Sequence, residues 1–376
     1  MPSRRSGALL ALTLLLAGCS GDVQPDAGGA PQVSPVPPST ATPAPPPPDE
    51  FTLVATGDVL VHQGRALTTG ARQPDGSFDF TGVLAPVADV VGGADVAVCH
   101  LETPVAPAGG PYRGYPSFAV QPEIVDALAG AGYDVCSTAS NHSLDAGFDG
   151  LVRTLDALDA AGLRHAGTAR SEPAGLEPTL LDVGGARVGF VAATFGLNGV
   201  PLPAGREWAV DVADVPDVSG LLAAAGRARA AGADVVVASL HCCREYEQDP
   251  TPAQEAAVRT LLASPDVDLV LGHHAHVVQP LERIDGEWAA YGLGNLVAEH
   301  ATRGYPTEDS VAVRFTFTRG PDGRFTATRA EAVPLRIEIG ADAVRVVPAD
   351  PASAARIADV LDRRGARAAG LEVVPE

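Results

Sequence analysis

Apolar runs that end in polar residues recur along this chain. FTLVATGD (51–58) reads as a strand closing on Gly-Asp, and VLAPVADVVGGADVAVCHLE (83–102) reads as a helix, then a strand, then His100 and Glu102. PEIVDALAGAGYDVCSTASNHSLD (122–145) repeats that order, with Gly130 or Gly132 stopping the helix and a polar cluster closing the strand. The order returns in VSGLLAAAGRARAAGADVVVASLH (218–241) and in PAQEAAVRTLLASPDVDLVLGHH (252–274). Alternation of helix and apolar strand predicts an α/β fold with largely parallel pairing. Gly-Gly in LLDVGGARVGFVAA (180–193) and Asp-Gly in ERIDGEWAAYGL (282–293) predict hairpins, residues 311–339 an antiparallel meander, and residues 351–363 a closing helix.

The first fifty residues lack this pattern. MPSRRSGALLALTLLLAGCSGD carries two arginines and an apolar run too short to span a bilayer, followed by Leu16-Ala17-Gly18-Cys19. It resembles a bacterial lipoprotein signal: residues 1–18 would be cleaved, Cys19 would carry the lipid, and the chain would sit on the extracytoplasmic face of the cell membrane. Residues 19–50 hold almost no large apolar side chain and end in a proline run, which reads as an extended tether. Residues 51–376 then form a single domain.

Composition narrows the chemistry. The formal net charge of −20 excludes a nucleic-acid binder, and the absence of lysine excludes Schiff-base catalysis and a Walker-type phosphate loop. Cys99 and Cys136, at the ends of two neighbouring strands, read as small core residues rather than a bridge. Cys242-Cys243 is compatible with a vicinal disulfide or a soft-metal site, with two buried thiols as the default.

Ligands of open α/β sheets bind beyond the carboxyl ends of the strands. There the sequence places Asp58, Glu102, Asn141 with His142, His241, and His274 with His276. One such residue has a dull explanation as a cap or a turn; the whole set predicts a metal site. Side chains at i and i+2 share a strand face, so His274 and His276 are expected to point into one site and His273 away from it. Carboxylate, amide and imidazole without thiolate suit Mn, Fe or Zn, and two such ions sharing a carboxylate suit displacement at phosphorus.

GDVLVHQ, HLETPV, ASNHSLDAG, HCCREYEQDPTPAQ, GHHAHVVQ and YGLGNL, in that order over about residues 51–300, resemble the motif series of the CapA-type poly-gamma-glutamate capsule synthesis proteins, themselves similar to calcineurin-like metallophosphoesterases. The resemblance implies a four-layer αββα sandwich of mixed sheets flanked by helices. It implies that Glu102 bridges two divalent metal ions, that Asn141, His241 and His274 hold one, and that Asp58 and His276 hold the other. His142 would be the general acid, oriented by Asp145. The sequence departs from the phosphoesterase Asp-x-His at the first strand: Leu60 occupies the histidine's place, and His62 either reaches the metal or is a surface loop residue. Glu245, Tyr246, Pro250 and Gln254 also match the family stretch. Arg113 and Arg244 are candidates for anion recognition; Asn295 would donate to an anion or form a turn.

The expected function is a lipid-anchored, metal-dependent phosphoesterase-like protein acting on or near an anionic cell-surface polymer or its synthase. The alternatives are a non-catalytic assembly or export subunit on the same fold, and a nucleotidase-type hydrolase.

Overall fold

The computed structural model describes residues 50–374 apart from 301–303 and 305; the signal, Cys19 and the tether up to residue 49 lie outside the described residues, and Glu50, expected as the last tether residue, already opens the first strand. The chain begins one sheet with parallel strands β1 (Glu50–Val59), β2 (Val96–Leu101), β3 (Val135–Ser137) and β4 (Arg164–Ala166). It then builds a second sheet from β5 (Thr179–Val183), β6 (Ala186–Thr194), β7 (Val235–His241), β8 (Leu269–His273), β9 (Leu281–Ile284) and β10 (Glu287–Ala290), ordered β5-β6-β7-β8-β10-β9. Finally it returns to the first sheet with β11 (Asn295–Val297), β12 (Asp309–Arg319), β13 (Phe325–Ile339), β14 (Val344–Pro348) and β15 (Leu371–Val373). β12 lies antiparallel to β1, and β11 lies parallel to it.

Period-two alternation stacks these sheets. Val235 and Val237 of β7 and Leu269 and Leu271 of β8 join one core with Leu53, Val98, Phe315 and Phe317 of the first sheet. Their neighbours Val236, Ala238, Leu240 and Val270 face the other way, against helices α7 (Ser219–Ala230) and α8 (Pro252–Leu262), in a second core. On the outside of the first sheet lie α1 (Ala66–Ala71), α2 (Thr81–Leu84), α3 (Ala88–Gly92), α4 (Glu123–Ala131) and α5 (Gly147–Ala160), whose buried residues join the first core; the short α6 (Glu172–Leu176) buries none. α9 (Pro351–Leu361) packs on β12 and β13, with Arg356 pairing with Asp309, and Arg364 just beyond it reaches Glu255 of α8. The result is helix, sheet, sheet, helix. α4 stops at Gly132, whose left-handed φ of 98° lets its N–H close on the Ala129 and Leu128 carbonyls.

The cysteines differ from the sequence expectation. Cys99 and Cys136 are direct partners in the β2–β3 ladder, Cα atoms 4.4 Å apart, and are joined as a disulfide; Cys242 and Cys243 are also joined. Pairing in register brings the sulfurs together, which strand prediction alone does not specify. Among the described residues no helix is long and apolar enough to cross a membrane.

Candidate metal centre

The face between the sheets turns polar at one end. Along β2 the alternating positions are Val96, Val98, His100 and then Glu102; along β7, Val235, Val237, Ser239, His241; along β8, Leu269, Leu271, His273. Asp58 reaches the same face through a bulge: Ala55 pairs with Val98 and Asp58 with His100, so β1 holds one extra residue between them. Gly57 permits this, since a Cβ there would lie 2.1 Å from the Gly294 carbonyl oxygen. That close approach also lets the Asp58 N–H donate to Gly294 at 2.9 Å.

These ends converge. Asp58 Oδ1 lies 2.8 Å from His273 Nδ1, while Oδ2 accepts the His274 N–H at 3.1 Å and lies 3.3 Å from His276 Nδ1. His276 Nε2 is 3.7 Å from Glu102 Oε1. His241 contacts His100 through Nδ1 and the Asn141 Oδ1 through Nε2, both at 2.9 Å. His100 Nδ1 lies 2.5 Å from Ser137 Oγ. The donors form three overlapping groups: Asp58, His100, His273; His100, Glu102, His241; and Glu102, His274, His276.

β8 stops at His273, and His274 and His276 adopt left-handed φ values of 87° and 56°. Strand alternation therefore does not govern them, and His273 does not point away: it continues the inward row of Leu269 and Leu271 onto Asp58. The two later histidines enter the site because the loop turns back. Tyr246, itself at φ 63°, clamps this loop by donating its N–H to the Ala275 carbonyl at 2.8 Å. Such backbone conformations cost about 1–3 kcal/mol each and persist only where the surroundings enforce them.

Burial dominates the electrostatics. It pushes Glu102 well above the usual carboxylate range, with His276 opposing and Asp58 adding to the rise. Burial likewise pushes Asp58 up, but hydrogen bonds from His273 and His276 prevail and hold it well below its ordinary value. His276 is driven down by burial yet carried up to about 9 by Glu102 and Asp58. Burial and neighbouring imidazoles depress His100 and His241, and bring His274 to about 3.

Both oxygens of Glu102, His273 Nε2 and His274 Nδ1 are buried with no hydrogen-bond partner among the described residues. Unpaired buried acceptors in a cluster of carboxylate and imidazole are costly unless a cation satisfies them. The donor set thus fits divalent metal, with Asp58, Glu102, Asn141, His241, His274 and His276 available as ligands and His100 and His273 alongside them. Sequence reasoning left out the last two, although the inward rows that end in them were readable.

Other predicted residues line the surroundings. His142 Nδ1 lies 2.7 Å from Asp145 Oδ2, which also accepts the Phe118 N–H at 2.7 Å. Arg113 donates to the Asp145 carbonyl at 3.0 Å and so reaches this dyad. Arg244 is exposed and paired with Glu247. Asn295 is fully buried: Oδ1 lies 3.0 Å from His276 Nδ1, and its amide nitrogen faces the His276 and Thr307 carbonyls and His300. With both donors engaged, it positions His276 rather than binding an anion. His62 is buried, accepts the Glu299 N–H at 3.2 Å, and packs on Phe118 and His300, so it is no surface loop residue and belongs to none of the three groups. Gln254 is spent on the Tyr291 carbonyl and Gln279.

A family model described as bacterial capsule synthesis protein PGA_cap matches residues 52–300. The chain is similar to the PGA biosynthesis protein CapA of Bacillus subtilis, 26% identical over 291 residues covering 74% of this chain and 71% of that one. It is 31% identical to a probable polyglutamine synthesis accessory protein of Mycobacterium tuberculosis over 217 residues, 55% of this chain and 56% of that one. Among solved structures, the calcineurin-like phosphoesterase YfkN of Bacillus subtilis aligns with a TM-score of 0.46 at 15% identity, covering 76% of this chain and 90% of that one.

Proposed function

The chain belongs to the bacterial capsule synthesis protein family PGA_cap, and from that membership we propose that it is a metal-dependent phosphoesterase-like hydrolase serving the synthesis or export of a poly-gamma-glutamate capsule. In this reading Cys19 carries a lipid, residues 19–50 tether a single domain (51–376), and the domain works at the extracytoplasmic membrane face on an anionic polymer or its synthase. The observation that carries the hydrolase reading is the convergence of unpartnered buried donors on Glu102, His273 and His274. Two divalent ions, Mn, Fe or Zn, bound there would supply Lewis acidity and an activated water.

The chain's own residues do the rest. Glu102, between the group containing His241 and the group containing His274 and His276, is the shared carboxylate. Asp58, fixed by His273 and the His274 N–H, and Asn141, fixed on His241 and Asn198, hold the two sides of the site. Asp145 holds His142 by Nδ1, leaving Nε2 as the nitrogen that gives a proton to the leaving oxygen.

Elemental analysis of the purified chain, paired with a screen of phosphomonoesters and phosphodiesters, tests this reading. Stoichiometric metal and turnover that disappear together in His274→Ala and His276→Ala support it; turnover that survives both substitutions rejects it. The accessory role in the mycobacterial relative's name favours a second reading, a non-catalytic assembly subunit with structural metals. Metal without turnover on any ester, together with surface polymer that survives His142→Ala in cells, selects that alternative.

A further inference from the structure

A second site lies at the edge of the sandwich, where β4 of one sheet and β5 and β6 of the other part company. The cavity there has a volume of about 240 Å³, below the range of roughly 300–1,000 Å³ typical of sites for drug-sized ligands. Leu155, Phe190 and Ala192 give it an apolar floor, and two opposite charges face it: Asp211, and Arg227 from the last turn of α7.

These charges do not satisfy each other. Among the described residues the Asp211 carboxylate has no hydrogen bond or ion pair, although its backbone is held on both sides by Gly167 and Thr194. Among the described residues Arg227 donates only from Nε, to the Leu176 carbonyl at 3.2 Å, and its terminal nitrogens have no protein partner. Asp211 opens to solvent at the mouth of the cavity and Arg227 is half-buried; the surrounding protein pushes Asp211 up to about 6, with Arg227 pulling against it. Of the other charged groups lining the cavity, Arg170 is tied to Asp156 and Asp159 and His165 to Asp159, while Arg164 and Glu177 are exposed. Thr168, hydrogen-bonded to Thr138 at 2.6 Å, stands between this cavity and the void beside Glu102.

A small ligand carrying both charges completes both groups at once, whereas a ligand with one charge leaves the other facing its own ion. We propose that this cavity binds a small zwitterion of the free amino-acid class, Asp211 receiving the ammonium, Arg227 the carboxylate, and the floor of Leu155, Phe190 and Ala192 a short aliphatic side chain.

Calorimetric titration of the full chain with alanine and valine, against propionate and n-propylamine as single-charge controls, tests the assignment. The expected result is saturable amino-acid binding with Kd of about 1 mM or tighter, and at least about tenfold weaker binding of either control. Asp211→Asn and Arg227→Gln should each weaken binding about tenfold. Ala224→Leu, which narrows the cavity and keeps both charges, should block it, and His274→Ala should leave it intact. Thermal melting checks that each variant is folded. Amino acids that bind no tighter than the controls, or a folded Asp211→Asn chain with undiminished affinity, overturn the proposal.

Discussion

Gly57→Ala is the substitution by which the fold and the candidate metal centre are tested together. The added methyl would lie 2.1 Å from the Gly294 carbonyl oxygen and 2.7 Å from its carbon. Both are backbone atoms, so no side chain can swing aside; a tolerable contact of about 3.4 Å requires one segment to retreat by about 1.3 Å. One segment carries Asp58 and the other Asn295, partners in the β1–β11 ladder. Overpacking of a core costs about 1–3 kcal/mol, and a clash against backbone belongs at the upper end. At about 2–4 °C per kcal/mol for a domain of this size class, Tm should fall by about 4–12 °C. The same retreat pulls Asp58 away from His273 and His276, and a misplacement of about 1 Å can cost on the order of a hundredfold in a positioned site, so metal affinity should fall at least about tenfold. The assay is thermal melting with and without chelator, followed by metal titration of each form. Gly82→Ala is the control, because nothing lies within 4 Å of a Cβ at that position. If Gly57→Ala melts within about 1 °C of the parent and binds metal equally well, the argument from close approach is wrong.

Three further outcomes are expected. His142→Ala should lower turnover by about 10²–10⁴-fold while metal content, measured by elemental analysis, stays unchanged. Opening the Cys99–Cys136 bridge, which spans 37 residues, should cost about 3–4 kcal/mol by chain entropy; the drop in Tm of the Cys99→Ser, Cys136→Ser double variant measures it. In chelated protein, His276 is lifted to about 9, Glu102 and Asp58 outweighing burial. Because its folded pKa is raised, the stability it contributes is complete below about 6.5 and is lost as pH rises through 9. Melting curves of parent and His276→Gln should accordingly converge between pH 6.5 and 9.5 in the absence of metal.

Much of the site was legible as periodicity. On β2, β7 and β8 a two-residue step leads from valine or leucine to His100, His241 and His273, because strand geometry sends alternate side chains into the space between the sheets. Following that step from the apolar residues, rather than from the paired histidines, would have found His100 and His273. The conformation of the loop at 274–276 was not legible. Its histidines enter through left-handed backbone, held by the Tyr246 clamp and the Asp58 carboxylate, and no local spacing encodes such partners.

The sequence by itself determined the α/β alternation, the hairpins at Gly184-Gly185 and Asp285-Gly286, and the gathering of carboxylate, amide and imidazole at strand ends, since hydrophobic period and turn chemistry are local properties. Only the tertiary structure decided the bulge that turns Asp58 inward, the bonding of Cys99 to Cys136, the commitment of Asn295 to His276, and the meeting of Asp211 with Arg227 in one cavity. Each depends on a contact between separate segments, set by strand pairing, loop docking or the packing of elements rather than by neighbouring residues.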